Sequence, residues 1–306
     1  MFQFIRHRLL SLIPVLLIVS TAVFFLLHLV PGDPVDIILG DNVTAVQRQE
    51  LRAQLGLDQP ILVQYKNYML GLIQGDLGES IYRRQPIGPL ILKSLPATLE
   101  LSFGALVFAM IMGLPLGVLT AVKRGGPLDW AISTWSLLGM SLPAYFLGPM
   151  LIWGFAIHWD LLPVSERGDI SHLVLPSLSL AIPLGSVLIR MTRASVIEVM
   201  NEDYIRTAQA KGLSQLAMYF KHALKNAMIP ILTTLGLQLG ALLTGTVITE
   251  TIFDWPGIGT LLFNSIQQRD YPLVQGCILF VAVIYLLVNL LTDLAYAFVN
   301  PKVRLQ

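Results

Sequence analysis

The sequence predicts an all-α integral membrane protein with six transmembrane helices and both ends in the cytoplasm. Three observations carry this. First, 55% of the 306 residues are apolar and only 13% are charged, against about 25% charged in an average soluble domain. Second, six segments reach the roughly 20 apolar residues that a spanning helix needs: 9–30, 97–122, 130–157, 172–192, 228–249 and 274–299. Third, lysine and arginine are biased towards the short loops of one side, the side that faces the cytoplasm.

The first segment follows a basic start, MFQFIRHRLL, as a signal peptide would. Its apolar run from Leu9 to Val30 is 22 residues, longer than the roughly 7–15 of a signal core. PGDP follows in place of a small-residue cleavage site. The segment therefore reads as a retained span, in which Pro14 is tolerable. It joins a long outer loop, 31–96, in a first division of the chain (1–96). That loop reads as partly helical. Leu51, Leu55, Ile61, Leu62, Tyr65, Tyr68, Met69 and Leu72 recur at three- and four-residue steps, Gly56 ends the first piece and Pro60 splits it from the second.

Residues 97–306 form the second division, a five-helix core. Its first span, 97–122, carries Glu100 near the outer end. The next, 130–157, contains SLPAYFLGP and is expected to tilt or kink at Pro143 and Pro149. The span 172–192 contains Pro176 and Pro183 and ends at Arg190. A polar loop, 193–227, follows. The outer stretch ETIFDWPGIGTLLFNSIQQRDYP is rich in proline, glycine and aromatics and reads as an ordered, partly buried turn and helix. DWPGIG within it is open to two readings, a turn closing the fifth span or an outer surface near a substrate entrance.

With the N-terminus inside, Arg6, Arg8, Lys123, Arg124, Arg190, Arg193, Arg206, Lys211, Lys221, Lys225, Lys302 and Arg304 are cytoplasmic. Arg48, Arg52, Lys66, Arg83, Arg84, Lys93, Arg167 and Arg269 are outside. Six of the latter lie in the long loop 31–96, which carries little weight in the rule.

The loop 193–227 is the polar exception in an apolar chain. Asn201 or Asp203 can cap a helix, and Glu202 and Asp203 favour its dipole. Residues 204–211 make about two turns, and Gly212 stops them. Ser214 can cap a second helix, with Leu216, Tyr219, Phe220, Ala223 and Leu224 as its apolar stripe. The first helix is about 12 Å long, too short to hold alone in water. It must lie on the membrane, pack on its own bundle or be received by a partner. Arg206, Gln209 and Lys211 leave little apolar face for lipid.

Other chemistry is not legible. The net charge is +1, with no basic stripe for nucleic acid. Cys277 is the single cysteine, and His7, His28, His158, His172 and His222 are scattered, so no metal site is expected. No GxxxxGK[ST] phosphate loop, HExxH or catalytic Ser/His/Asp set occurs, which argues against an enzyme and puts any ATP chemistry on another chain. Polar groups inside spans are functional candidates by default. Glu100 reads as structural or path-lining. Asn289 and Asp293 share a face of the last span, with a hydrogen bond to a neighbouring helix as the first reading and substrate contact as the second. Gln238 is a path candidate, flanked by Gly236, Gly240 and Gly245 that permit close helix approach.

TAQAKGL followed by HALKNAMIP resembles the EAA loop of permease subunits of ATP-binding-cassette importers. PGDP (31–34), LGLDQP (55–60), GDLGES (75–80), LPATLEL (95–101), LPVSERG (162–168), YIRTAQAKGL (204–213), TETIFDWPGIG (249–259), RDYPLVQG (269–276) and NPKVR (300–304) extend the resemblance along nearly the whole chain. They favour the peptide and nickel branch, and within it the first permease subunit of dipeptide, oligopeptide or glutathione importers. The resemblance implies the type I, MetI-like permease fold and a place in the bacterial inner membrane. It implies that Glu202, Asp203, Tyr204, Arg206, Thr207, Ala208, Lys211 and Gly212 form a coupling helix. Thr207, Ala208 and Gly212 take the Ala-Ala and Gly positions of the motif, and Arg206 stands in place of its Glu. The implied partners are a homologous second permease, two cytoplasmic ATPase subunits that hold ATP and Mg, and an extracytoplasmic binding protein. The alternative from another class, an ion-coupled secondary transporter, would show internal repeats and a mid-membrane carboxylate. No repeat relates residues 1–153 to 154–306, and Asp293 lies towards the cytoplasmic end.

Overall fold

The computed structural model describes residues 2–29, 35, 44–214 and 218–299. PGDP, NPKVR and Leu216 lie outside them. The described residues form helices and connecting turns. Five helices are long and apolar enough to cross a membrane, or six if one bent pair counts as a span. Contacts divide the chain into two compact units, Met1–Ala97 with Pro256–Ile284, and Thr98–Trp255 with Tyr285–Gln306.

In the first unit, α1 (Phe2–Leu29) is the N-terminal span. The outer loop then folds as predicted into two helices, α2 (Ala45–Gln54) and α3 (Ile61–Ile73). Thr44 and Gln47 form a reciprocal capping box that starts α2. Gly56 takes φ +67° after its end, and Pro60 is the N-cap of α3. Aromatic contacts fasten α3 to α1: Phe24 meets Tyr65 and Tyr68 at 5.3 and 5.5 Å between centroids, and the Thr21 and Tyr65 hydroxyls are 2.8 Å apart.

The helix α4 (Ile87–Val122) begins ten residues before the predicted span and runs through Pro96. Burial overrides the break signal. Ile87 and Ile91 are fully buried against Ile258, Leu261, Leu273 and Cys277. A buried carboxylate, Asp270, closes this unit. It accepts hydrogen bonds from the Ser80 hydroxyl and from the Ile81 and Tyr82 amides (3.2 and 3.3 Å). It also accepts from the amide of Leu273, three residues further on.

In the second unit the proline-rich span is broken. The helices α5 (Pro127–Ser141) and α6 (Ala144–Leu151, continued by a π-helical stretch to His158) meet at 105°. Leu142 is extended, as a residue before proline must be, and Pro143 caps α6. The long α7 (Ile170–Met200) does not stop near Arg190 but continues to Met200, because Thr192, Ser195 and Val196 are buried on their own bundle. The short α8 (Asp203–Ala210) follows. The expected separate helix after Ser214 is instead a π-helical turn, Met218–Ala223, that runs directly into α9 (Leu224–Gly245). Next comes α10 (Val247–Ile252); along the chain follow α11 (Ile258–Gln267), which belongs to the first unit, and the last span α12 (Tyr271–Val299), which starts in the first unit and ends in the second. DWPGIG joins α10 to α11, and Phe253 and Trp255 beside it are almost completely buried. The core of this unit is a row of small and branched residues, among them Ala109, Val118, Ala181, Leu188, Val196, Ala227 and Ile231.

Candidate functional site

The polar stretch between α7 and α9 is held by one apolar side chain. Ile205 of α8 is 2% exposed and packs in the cluster of Val196, Met218, Ala223 and Ala227. A second tie is polar: the Asn226 amide donates to the Tyr204 hydroxyl at 2.5 Å. Every other side chain of α8 is exposed or half-exposed. The helix therefore packs on its own bundle through one face and presents the rest to the outside.

The cap is Glu202, with extended backbone and no side-chain hydrogen bond, rather than Asn201 or Asp203. Asn201 instead ends α7 and donates back to the Ile197 carbonyl. Asp203 occupies the first turn, where its charge suits the helix dipole. Arg206 lies 3.7 Å from Asp203 with both side chains exposed, an interaction worth little in water. Thr207 donates its hydroxyl to the Asp203 carbonyl, and Ala208 is half-buried. Lys211 is the C-cap. Gly212 takes φ +83°, and its amide donates to the Gln209 carbonyl at 2.9 Å. This left-handed position is why a glycine stands there.

Ile205 is absent from the sequence-derived set, which was built from polar and motif positions. Its signal was available: it is the only branched apolar residue between Glu202 and Gly212. Two other side chains were also missed. Asp129 of α5 accepts both guanidinium nitrogens of Arg193 on α7 at 2.8 Å, together with the Gly125 amide and the Ser133 hydroxyl. This pair holds the end of α7 that leads to α8. Glu250 of α10 is completely buried and accepts from the Thr98 and Thr246 hydroxyls at 2.7 and 3.1 Å.

The three path candidates have different neighbours among the described residues. Glu100 is clamped by Arg167 through two 2.8 Å contacts. Asn289 lies beside Gly240, where an added Cβ would touch the Tyr285 ring. Gly236 and Gly240 share the α9 face that meets α12, so the glycines serve close packing. Gln238, midway between them, falls on the other side at about 100° per residue. Its buried amide oxygen has no hydrogen-bond partner. An apolar groove of about 340 Å³, lined by residues such as Met110, Leu235, Leu239 and Thr292, includes none of the three. The Asp293 side chain lies outside the described residues.

Residues 113–305 match the family model for the binding-protein-dependent transport system inner membrane component, and residues 1–102 match its N-terminal companion. The chain belongs to this family. It is a multi-pass permease of the inner membrane, and this membership displaces the ion-coupled reading. The permease is 43% identical to the dipeptide transport system permease protein DppB of Escherichia coli K12, over 99% of each chain. It is 44% identical to the di/tripeptide transport system permease protein DppB of Pseudomonas aeruginosa, over the whole of each. Against the glutathione transport system permease protein GsiC of E. coli K12 the identity is 42% over 99% of each. Among solved structures, a chain of the MetNI methionine ABC transporter in an inward-facing conformation superposes with TM-score 0.60 at 17% identity. That match covers 69% of the permease and 96% of the other chain. It shows the shared MetI-like fold.

Proposed function

We propose that this permease is one half of an importer for di- or oligopeptides or related small substrates. A homologous second permease completes the translocation path, an extracytoplasmic binding protein delivers the substrate, and two separate ATPase subunits supply ATP and Mg chemistry. Residues Glu202, Asp203, Tyr204, Arg206, Thr207, Ala208, Lys211 and Gly212 form the surface that an ATPase subunit grips. Movement of that grip switches the permease between outward- and inward-facing states.

The observation that carries the coupling role is the one-sided burial of α8. Ile205 fixes it to the bundle, while Arg206 and Lys211 remain exposed. A helix of eight residues is too short to be stable alone, so packing must fix it in place for a partner to read. The peptide assignment rests on the similarity to dipeptide and di/tripeptide permeases. The GsiC relative favours glutathione, itself a small peptide, as the second reading. A nickel chelate remains the third, and no observation favours it.

The test is reversal of charge on the exposed face, Arg206→Glu with Lys211→Glu, in the co-expressed complex. The variant is expected to insert and fold normally but to lose most ATPase co-purification and ATP-driven uptake. Undiminished co-purification would overturn the coupling assignment.

A further inference from the structure

The first unit holds a cavity that the coupling role does not use. It has a volume of about 350 Å³, within the range of small-molecule sites. Its walls come from α1, from the turn after α2, from α3 and the turns after it, and from the start of α12. The rings of Phe24, Tyr68 and Tyr271 form its apolar side. Asp76 and Glu79 supply two carboxylates, and no lysine or arginine is among its lining residues. His28 also lines it, with one ring nitrogen 2.7 Å from the Phe24 carbonyl oxygen and the other 3.3 Å from the Gln64 amide oxygen, of which a neutral ring donates to one.

Gln275 is 7% exposed and lines the cavity. The Tyr68 hydroxyl is buried and has no hydrogen-bond partner among the described residues. Buried polar groups are normally satisfied, so a hydroxyl left without a partner at the wall of a cavity points to something that fills it. The carboxylates of Asp76 and Glu79 without a basic neighbour on the wall select a cation. Aromatic faces attract a cation, and the Gln275 amide suits a peptide group.

We propose that this cavity binds the free ammonium end of a short peptide, holding the charge against Asp76 and Glu79 and the first peptide group against Gln275. The inference rests on the peptide reading above. It adds a site on the outer part of the permease, remote in sequence from α8, that distinguishes peptides with a free amino end from capped ones.

The test uses the full-length chain with its partner chains in lipid nanodiscs, without the binding protein. Calorimetry compares alanyl-alanine with N-acetyl-alanyl-alanine. The free dipeptide is expected to bind at least about tenfold more tightly, the scale of one charge-assisted contact. Asp76→Asn with Glu79→Gln keeps the hydrogen-bonding oxygens and removes the charge. It is expected to erase that preference while leaving the melting temperature unchanged. Gln275→Leu is expected to weaken both probes. Equal affinity for the two dipeptides, no binding of either, or a preference that survives the double variant would overturn the proposal. Should the double variant unfold, Glu79→Gln alone, at an exposed side chain, carries the same comparison. Uptake of alanyl-alanine by the complete transporter is scored separately. Uptake without amine-dependent binding overturns only the cavity site, and amine-dependent binding without uptake overturns only the peptide-transport reading.

Discussion

At the scale of single residues, the candidate site depends on one buried contact and one backbone angle. Ile205→Ala removes the only fully buried side chain of α8. Large-to-small core changes cost about 2–4 kcal/mol, more than such a short helix can absorb. The expected result is faster tryptic cleavage after Arg206 and Lys211, with the transmembrane part intact. Gly212 sits at φ +83° with open space around it. A β-branched residue there meets backbone strain of roughly 1–2 kcal/mol and not a clash. Gly212→Asn is therefore expected to retain more ATPase co-purification than Gly212→Val. Asp169 provides a pH-dependent case outside the spans. Hydrogen bonds from Ser171, then from His172, lower its pKa to about 2. Because the folded value lies below the unfolded one of about 3.9, the cap is in place above that value and is lost as pH falls towards 2. Hydrogen-exchange protection of the first turn of α7 is expected to decline over that window and to be flat above it.

At the scale of elements, packing between helices is the sensitive quantity. The α4 and α7 helices approach closely at three glycines, Gly104, Gly113 and Gly117. An added Cβ at Gly113 would come within 2.5 Å of the Leu188 Cβ, and one at Gly117 within 2.5 Å of the Thr192 Cβ. Gly117→Ala also meets the Ile189 carbonyl oxygen at 2.9 Å, a backbone atom that cannot rotate away. Overpacking of this kind costs about 1–3 kcal/mol, so a lower thermal midpoint in detergent is expected. The Asp129–Arg193 pair joins α5 to α7 in the same unit. Arg193→Ala strands a carboxylate that is nearly buried, and Asp129→Ala strands a guanidinium that is a third exposed. Losing one partner of a buried pair is the costly change. Arg193→Ala is thus expected to be the more destabilising of the two in thermal inactivation.

The same scale shows how much of each element was legible. The outer helices were readable because Thr44, Gly56 and Pro60 act through their own backbone angles and local hydrogen bonds. The bend in the third span was readable because Pro143 constrains the residue before it. The start of α4 and the extension of α7 were not. Both run past signals that normally end a helix, Pro96 in one and the Arg190–Arg193 charges in the other. They continue because Ile87, Ile91 and Val196 are buried by residues far away in sequence. The expected second helix of the loop failed for a related reason. Tyr219, Ala223 and Leu224 do pack on the core, but a π-helical turn joins this stretch to α9.

For the whole molecule, the proposed function belongs to an assembly. The sequence contains no phosphate-binding loop, and the permease is expected to drive no uptake when reconstituted alone with ATP. Uptake in proteoliposomes is expected only when the second permease, the ATPase subunits and the binding protein are all present. ATP-driven uptake by the single chain would contradict this division of labour. The sequence alone determined the membrane class, the rough position of the spans, the family resemblance and the turn that ends α8. Hydropathy, proline and glycine act locally, so those features can be read in order along the chain. Tertiary structure alone decided that Ile205 anchors α8, that Asp129, Glu250 and Asp270 are buried and satisfied, and that Glu100 is paired with Arg167. Those outcomes depend on which distant residues are brought into contact, and a linear pattern does not encode that pairing.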